Sequence, residues 1–157
     1  MRKIIAQLRA MTPVRANDIV LRELSKAARP FAPRVRAAIM NTPSAGTTPW
    51  PPQVPGLRLR IARCVQAWAK IEAGLITVGV EVNAAKMPSG QKSLPLMLEG
   101  RKAWRHPVFA QGGDRGEWTW VLQASHPYFD EGMLGFGPAT RKAIDRAIDN
   151  IISQIDG

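Results

Sequence analysis

Leu75-Ile-Thr-Val-Gly-Val-Glu-Val82 is the stretch on which the fold turns. Ile76, Val78, Val80 and Val82 recur at every second residue, the period that places side chains on one side of a β-strand. Residues 70–74, ending in Gly74, have the length and composition of a hairpin connection to the segment before them. That segment begins Gly56-Leu-Arg-Leu-Arg-Ile-Ala-Arg63, where apolar and basic residues alternate. The alternation fits a strand with one cationic face or a short helical lead-in, and the reading taken is a turn of helix passing into a strand at about 62–69.

Toward the N-terminus, Thr12-Pro13 is a helix start: threonine at the N-cap, proline in the first turn, where a missing N–H costs nothing. On an ideal helix Val20, Leu24, Ala27, Phe31, Val35 and Ala38 then fall on one face. Arg15, Arg22, Lys26, Arg29 and Arg36 fall on the other. Pro30 and Pro33 predict a kink or a break near residue 30. Asn41 to Gly56 holds five prolines and reads as an exposed loop.

Toward the C-terminus, 86–92 reads as a loop and Ser93 to Gly100 as a short helix. His106 to Gln111 and Glu117 to Gln123 form a second hairpin across Gly112-Gly-Asp-Arg-Gly116, a strand-to-strand turn without the Lys-Ser/Thr helix start of a phosphate loop. Residues 138–155 form an amphipathic helix with Ile144, Ile148, Ile151 and Ile155 on its apolar stripe. The expected fold is α+β: N-terminal helices, a small, mainly antiparallel sheet of two hairpins and an amphipathic C-terminal helix. It is read as one domain over 1–157, with a basic helical segment at 1–40, a Pro-rich loop at 41–56, a sheet region at 57–130 and the terminal helix at 138–155.

Charge is unevenly placed. Residues 1–70 hold 13 Lys and Arg against Asp18 and Glu23, whereas residues 71–157 hold 9 against 10 acids, so the net +10 belongs to the first half. An excess of that kind suits a polyanion or an acidic neighbour. No stretch approaches the roughly 18 to 20 apolar residues of a membrane span, and Gln7 and Arg9 interrupt any signal-peptide run. The expectation is a cytoplasmic product without export signal. Cys64 is the single cysteine, which excludes an internal disulfide and a thiolate-rich zinc site and reads as a small buried hydrophobe.

Two groups of residues stand out. The basic stripe of Arg15, Arg22, Lys26, Arg29 and Arg36 is a candidate contact for nucleic acid or an acidic partner, since Asp18 and Glu23 are the only carboxylates near it. The run 101–129 gathers Trp104, Phe109, Trp118, Trp120, Tyr128 and Phe129 around a Gly-rich turn, a candidate core or inter-subunit surface. Trp118, Trp120 and Leu122 share one face, expected to pack on the C-terminal helix. His106 and His126 each precede proline and lack a nucleophile or second ligand at motif spacing. Catalysis, a metal and a cofactor are therefore not expected.

Leu-Glu-Gly-Arg-Lys-Ala-Trp104-Arg-His-Pro-Val-Phe109, followed by Trp-Val-Leu-Gln-Ala-Ser-His-Pro-Tyr-Phe129, resembles the neck proteins of long-tailed bacteriophages. The closest group is the tail-completion or minor tail family described as gene-product-ten-like, and the resemblance spans roughly residues 15–155. It implies a non-catalytic head-to-tail connector in the virion, present in the host cytoplasm during assembly. It further implies a homo-oligomeric ring of 6 or 12 copies around the double-stranded DNA channel. Portal or adaptor, head-closure and tail-terminator proteins would be its neighbours, with no membrane involved. The alternative is a basic nucleic-acid-binding or DNA-packaging accessory protein.

Overall fold

The structure, a computed structural model, describes residues 12–42, 56–100, 103–108 and 119–156. The expected Pro-rich loop, the Gly-rich turn of the second hairpin, Phe109 and Trp118 lie outside the described residues. In chain order the elements are α1 (Pro13–Ala28), α2 (Phe31–Asn41), α3 (Leu57–Arg63), β1 (Val65–Glu72), β2 (Leu75–Val82) and a single 3-10 turn (Ala84–Lys86). They continue with α4 (Leu94–Glu99), β3 (Trp104–Val108), β4 (Thr119–Gln123), α5 (Phe129–Gly132) and α6 (Phe136–Asp156). The class is α+β. The two hairpins are separate two-stranded sheets, where a single sheet was expected.

The described residues group into two compact units, each assembled from several chain segments. The first comprises residues 12–34, Val65–Glu81 and residues 133–156. Its first helix starts as the sequence demands: the Thr12 hydroxyl accepts from the Arg15 N–H at 3.3 Å and Pro13 opens the first turn. It stops at Ala28, and Phe31 begins α2 with Pro33 in the first turn, where no intrahelical donor is lost. The break near residue 30 is thus a restart. Leu24 and Ala27 of α1 pack with Ala143 of α6, and Val20, Ala69, Ile76 and Val78 close around them. Phe31 meets the Phe136 ring edge-on, with centroids 5.1 Å apart.

The terminal helix corrects its expected stripe. Ala143 and Ala147 are fully buried, while Ile144 and Ile148 are 44% and 48% exposed. Small side chains let two helix backbones approach closely, so alanine takes the contact with α1 and the larger isoleucines stand beside it. The packing partner of this helix is therefore α1. Leu122, of the face expected to pack on it, is 62% exposed.

Strand β1 begins and ends later than expected, β2 spans Leu75–Val82 as expected, and Ala73 and Gly74 alone join them. Both have positive φ, +49° and +78°, the signature of a type I′ turn whose twist matches the strands it joins. A two-residue turn pairs residue 72 with 75 and hence Trp68 with Gly79. The pairing is tight: a Cβ on Gly79 would lie 2.9 Å from the indole of Trp68. Ala73 holds a left-handed conformation that alanine disfavours. Ala73→Asn should raise stability by about 0.5–1 kcal/mol, read as a higher denaturant midpoint at unchanged slope; a lowered midpoint would show that the turn carries no strain.

The second unit comprises Val35–Cys64 and Val82–Gly132. Val35, Ile39, Ile61, Cys64, Met87, Leu98 and Tyr128 are its buried side chains of note, and Cys64 Sγ lies 3.6 Å from Met87 Sδ. Strand β3 pairs antiparallel with β4, Trp104 opposite Gln123 and Pro107 opposite Trp120. Gly132 closes α5 against α2, with no room for a side chain: a Cβ there would stand 2.6 Å from the Val35 backbone. Gly132→Ala should cost about 2–3 kcal/mol by thermal or denaturant unfolding, and a wild-type melting temperature would refute this close approach.

Candidate nucleic-acid or acidic-partner interface

All five residues of the basic stripe are exposed. Arg15, Arg22 and Lys26 come from α1 and Arg29 is its C-cap, and spacings of seven, four and three residues bring them back to one side of a 3.6-residue helix. Arg36 lies on α2 and belongs to the second unit. The stripe is not uniform, because Glu23 is not beside it on the surface. Glu23 is 6% exposed and turned inward, where Lys26 Nζ meets one carboxylate oxygen at 2.7 Å and Arg146 of α6 approaches the other at 3.6 Å. Lys26 therefore serves the interior. Arg15, Arg22 and Arg29 have no ion-pair partner among the described residues.

A buried carboxylate normally resists ionisation. At Glu23 the hydrogen bond from Lys26 outweighs the opposing effect of burial, the charges of Lys26 and Arg146 add to it, and the carboxyl titrates below its ordinary range.

The aromatic candidates divide. Tyr128 is buried and its hydroxyl donates to the Pro95 carbonyl at 3.2 Å, while burial raises its pKa far above the usual phenol value. Phe129 is half-buried and opens α5. Trp104 and Trp120 are placed by strand register alone. His126 is exposed, and its backbone N–H donates to the Leu98 carbonyl at 2.8 Å; His106 sits on β3 opposite Val121. Among the described residues no group of three acidic, histidine or cysteine side chains is placed to hold a metal ion. No described helix is long and apolar enough to cross a membrane.

Two residues with clear roles escaped the sequence reading. Arg58 donates to the Met40 and Thr42 carbonyls at 3.1 and 2.7 Å, satisfying the C-terminal end of α2, where a cation is also favoured by the helix dipole. The alternation of arginine with leucine before Cys64 was its only signal. Glu99 accepts the backbone N–H groups of Tyr128 and Phe129 at 2.9 and 3.0 Å and so caps the start of α5. Desolvation raises its pKa more than those bonds lower it, and Asp130 adds to the rise.

No family model, no curated protein and no solved structure matches this chain.

Because the Glu23 carboxyl is held below its ordinary value of 4.5, its stabilising contribution is complete above that value and lost as pH falls through the lowered one. With both cations half-exposed, Glu23→Gln should cost about 1–2 kcal/mol at neutral pH. The gap from wild type should close on acidification below pH 4.5, and urea titrations at pH 7 and pH 3 measure it; an equal gap at both would refute the ion pair.

Proposed function

We propose that this protein is a structural component of the neck of a long-tailed bacteriophage, one copy in a ring around the channel that joins the DNA-filled head to the tail. The observation that carries the reading is the outward side of α1, where Arg15, Arg22 and Arg29 stand exposed with no ion-pair partner among the described residues and Asp18 is the single exposed carboxylate. Ordinary solvated helices interleave both signs of charge. A mainly basic side meets an acidic surface, and electrostatic fit of that kind sets register and partner choice more than stability. The resemblance of 104–109 and 126–129 to neck proteins supplies the assembly in which such a side is used: DNA in the channel, or an acidic patch on an adjoining subunit of the ring, portal or tail.

The structure also refines the variant that tests it. Lys26 must be left alone, since reversing it would set a second carboxylate against buried Glu23. Arg15→Glu, Arg22→Glu and Arg29→Glu combined should leave unfolding within about 0.5 kcal/mol per site. The same variant should yield heads and tails that fail to join, counted by electron microscopy and plaque titre in particles from the host that carries the gene. Fully infectious particles would remove the basic side from the mechanism. Antibody against the chain should label the head-to-tail junction. If the isolated protein instead binds duplex DNA with an affinity that falls by orders of magnitude on a fourfold salt increase, the free-standing nucleic-acid-binding reading replaces this one.

A further inference from the structure

We infer that copies of this chain associate head to tail, α6 of one copy lying antiparallel against the outward side of α1 of the next. The inference rests on the ring reading above and names the acidic partner of its basic side as a second copy of the chain. It starts from an apolar edge that the fold leaves uncovered. Ile144, Ile148 and Ile152 recur once per turn along α6 and are 44%, 48% and 49% exposed, although the helix has already buried Ala143 and Ala147 against α1. Three half-exposed isoleucines in line are a contact surface more than a chance distribution of single apolar residues.

Charge identifies what covers them. Asp145 and Asp149 follow Ile144 and Ile148 directly, so each stands about 100° around the helix from its isoleucine. Both are exposed, and neither has an ion-pair partner among the described residues, because Arg146 between them is turned to Glu23. Arg141 and Lys142 lie one turn earlier, at the start of the helix. On α1 the same dipeptide pattern appears with the opposite sign. Val14, 69% exposed, is followed by Arg15, and half-buried Leu21 by Arg22. Arg29 continues the basic edge, and Asp18 is the one exposed carboxylate on that helix.

The two edges also match in length and hand. Val14 to Leu21 spans about 10 Å of helix axis and Ile144 to Ile152 about 12 Å. On both helices the charged edge lies in the same rotational sense from the apolar one. Two such helices facing each other align apolar with apolar and charge with charge only when they run antiparallel. An antiparallel pairing of α6 with its own copy about a two-fold axis would set Asp145 and Asp149 beside the same two aspartates of the partner, a like-charge contact that is unfavourable. The heterologous contact sets them beside Arg15, Arg22 and Arg29 instead. Heterologous contacts generate rings when the rotation closes.

Charge exchange in the purified full-length chain tests this, with mass read by sedimentation velocity and folding by circular dichroism. Wild type should sediment as a multimer. Asp145→Arg with Asp149→Arg, and separately Arg15→Asp with Arg22→Asp, should each give folded monomers. All four substitutions together should restore the multimer, because the contact is then complementary with its signs exchanged. Mixing the two double variants should restore a multimer of alternating copies, since α6 of each variant then complements α1 of the other. Ile148→Cys provides a measurement independent of charge: under mild oxidation it should give no self-linked dimer. A monomeric wild type, a multimer indifferent to either double variant, a fourfold variant that stays monomeric, or an efficiently self-linked Ile148→Cys dimer would each overturn the contact. None of these would bear on where antibody labels the particle, so failure of the interface and failure of the neck reading are separate results.

Discussion

The close approach of α6 to α1 governs the first unit. Ala143 and Ala147 are its fully buried residues on α6, Ala143 packed with Leu24 and Ala27, and side chains of that size let helix backbones come close. Once the helices are that near, a carboxylate at residue 23 can no longer reach water, and it persists only because Lys26 and Arg146 converge on it from the two helices. The same approach rotates Ile144 and Ile148 out of the contact. Core, buried ion cluster and exposed apolar edge are thus three consequences of placing alanine where a larger residue would hold the helices apart.

That choice explains which parts of the fold could be read from the sequence. Local signals with a single physical meaning were legible: the Thr12-Pro13 start, the interruption at Pro30, the two-residue period of 76–82 and the short helix before Gly100. The register of the first hairpin was less so, because the turn uses Ala73 at a position where glycine or asparagine would have announced it. The inward side of α6 was read wrongly for a different reason. Its apolar arc runs from Ala139 and Ala143 round to Ile144 and Ile152, and hydrophobicity alone points to the isoleucines. Close packing selects by volume as well, which a helical wheel does not encode.

The candidate basic side was legible as a direction and not as a set of equivalent charges. All five cations are exposed, as their spacing demanded, yet their uses differ. Lys26 answers a buried carboxylate, and on α3 Arg58 answers the open carbonyls of α2. A net charge of +10 therefore overstates the positive surface offered to a partner. Pairing across elements of the fold decides how much remains, and sequence counts only the groups.

His126-Pro-Tyr-Phe129 bears on the resemblance that suggested a neck protein. Its residues hold α5 to α4 through the Leu98 carbonyl, the Pro95 carbonyl and the Glu99 carboxylate, and the adjoining Ser125 hydroxyl reaches the Met97 carbonyl. These bonds join backbone to backbone and side chain to backbone inside one unit, so the motif specifies how the chain turns at that point. A motif of this kind reports a fold and says nothing by itself about a partner. What the protein does must be sought on the surfaces that such latches leave free, and there the dipeptides Val14-Arg15, Leu21-Arg22, Ile144-Asp145 and Ile148-Asp149 stand out because each joins an exposed or half-exposed apolar residue to a charge with no ion-pair partner among the described residues.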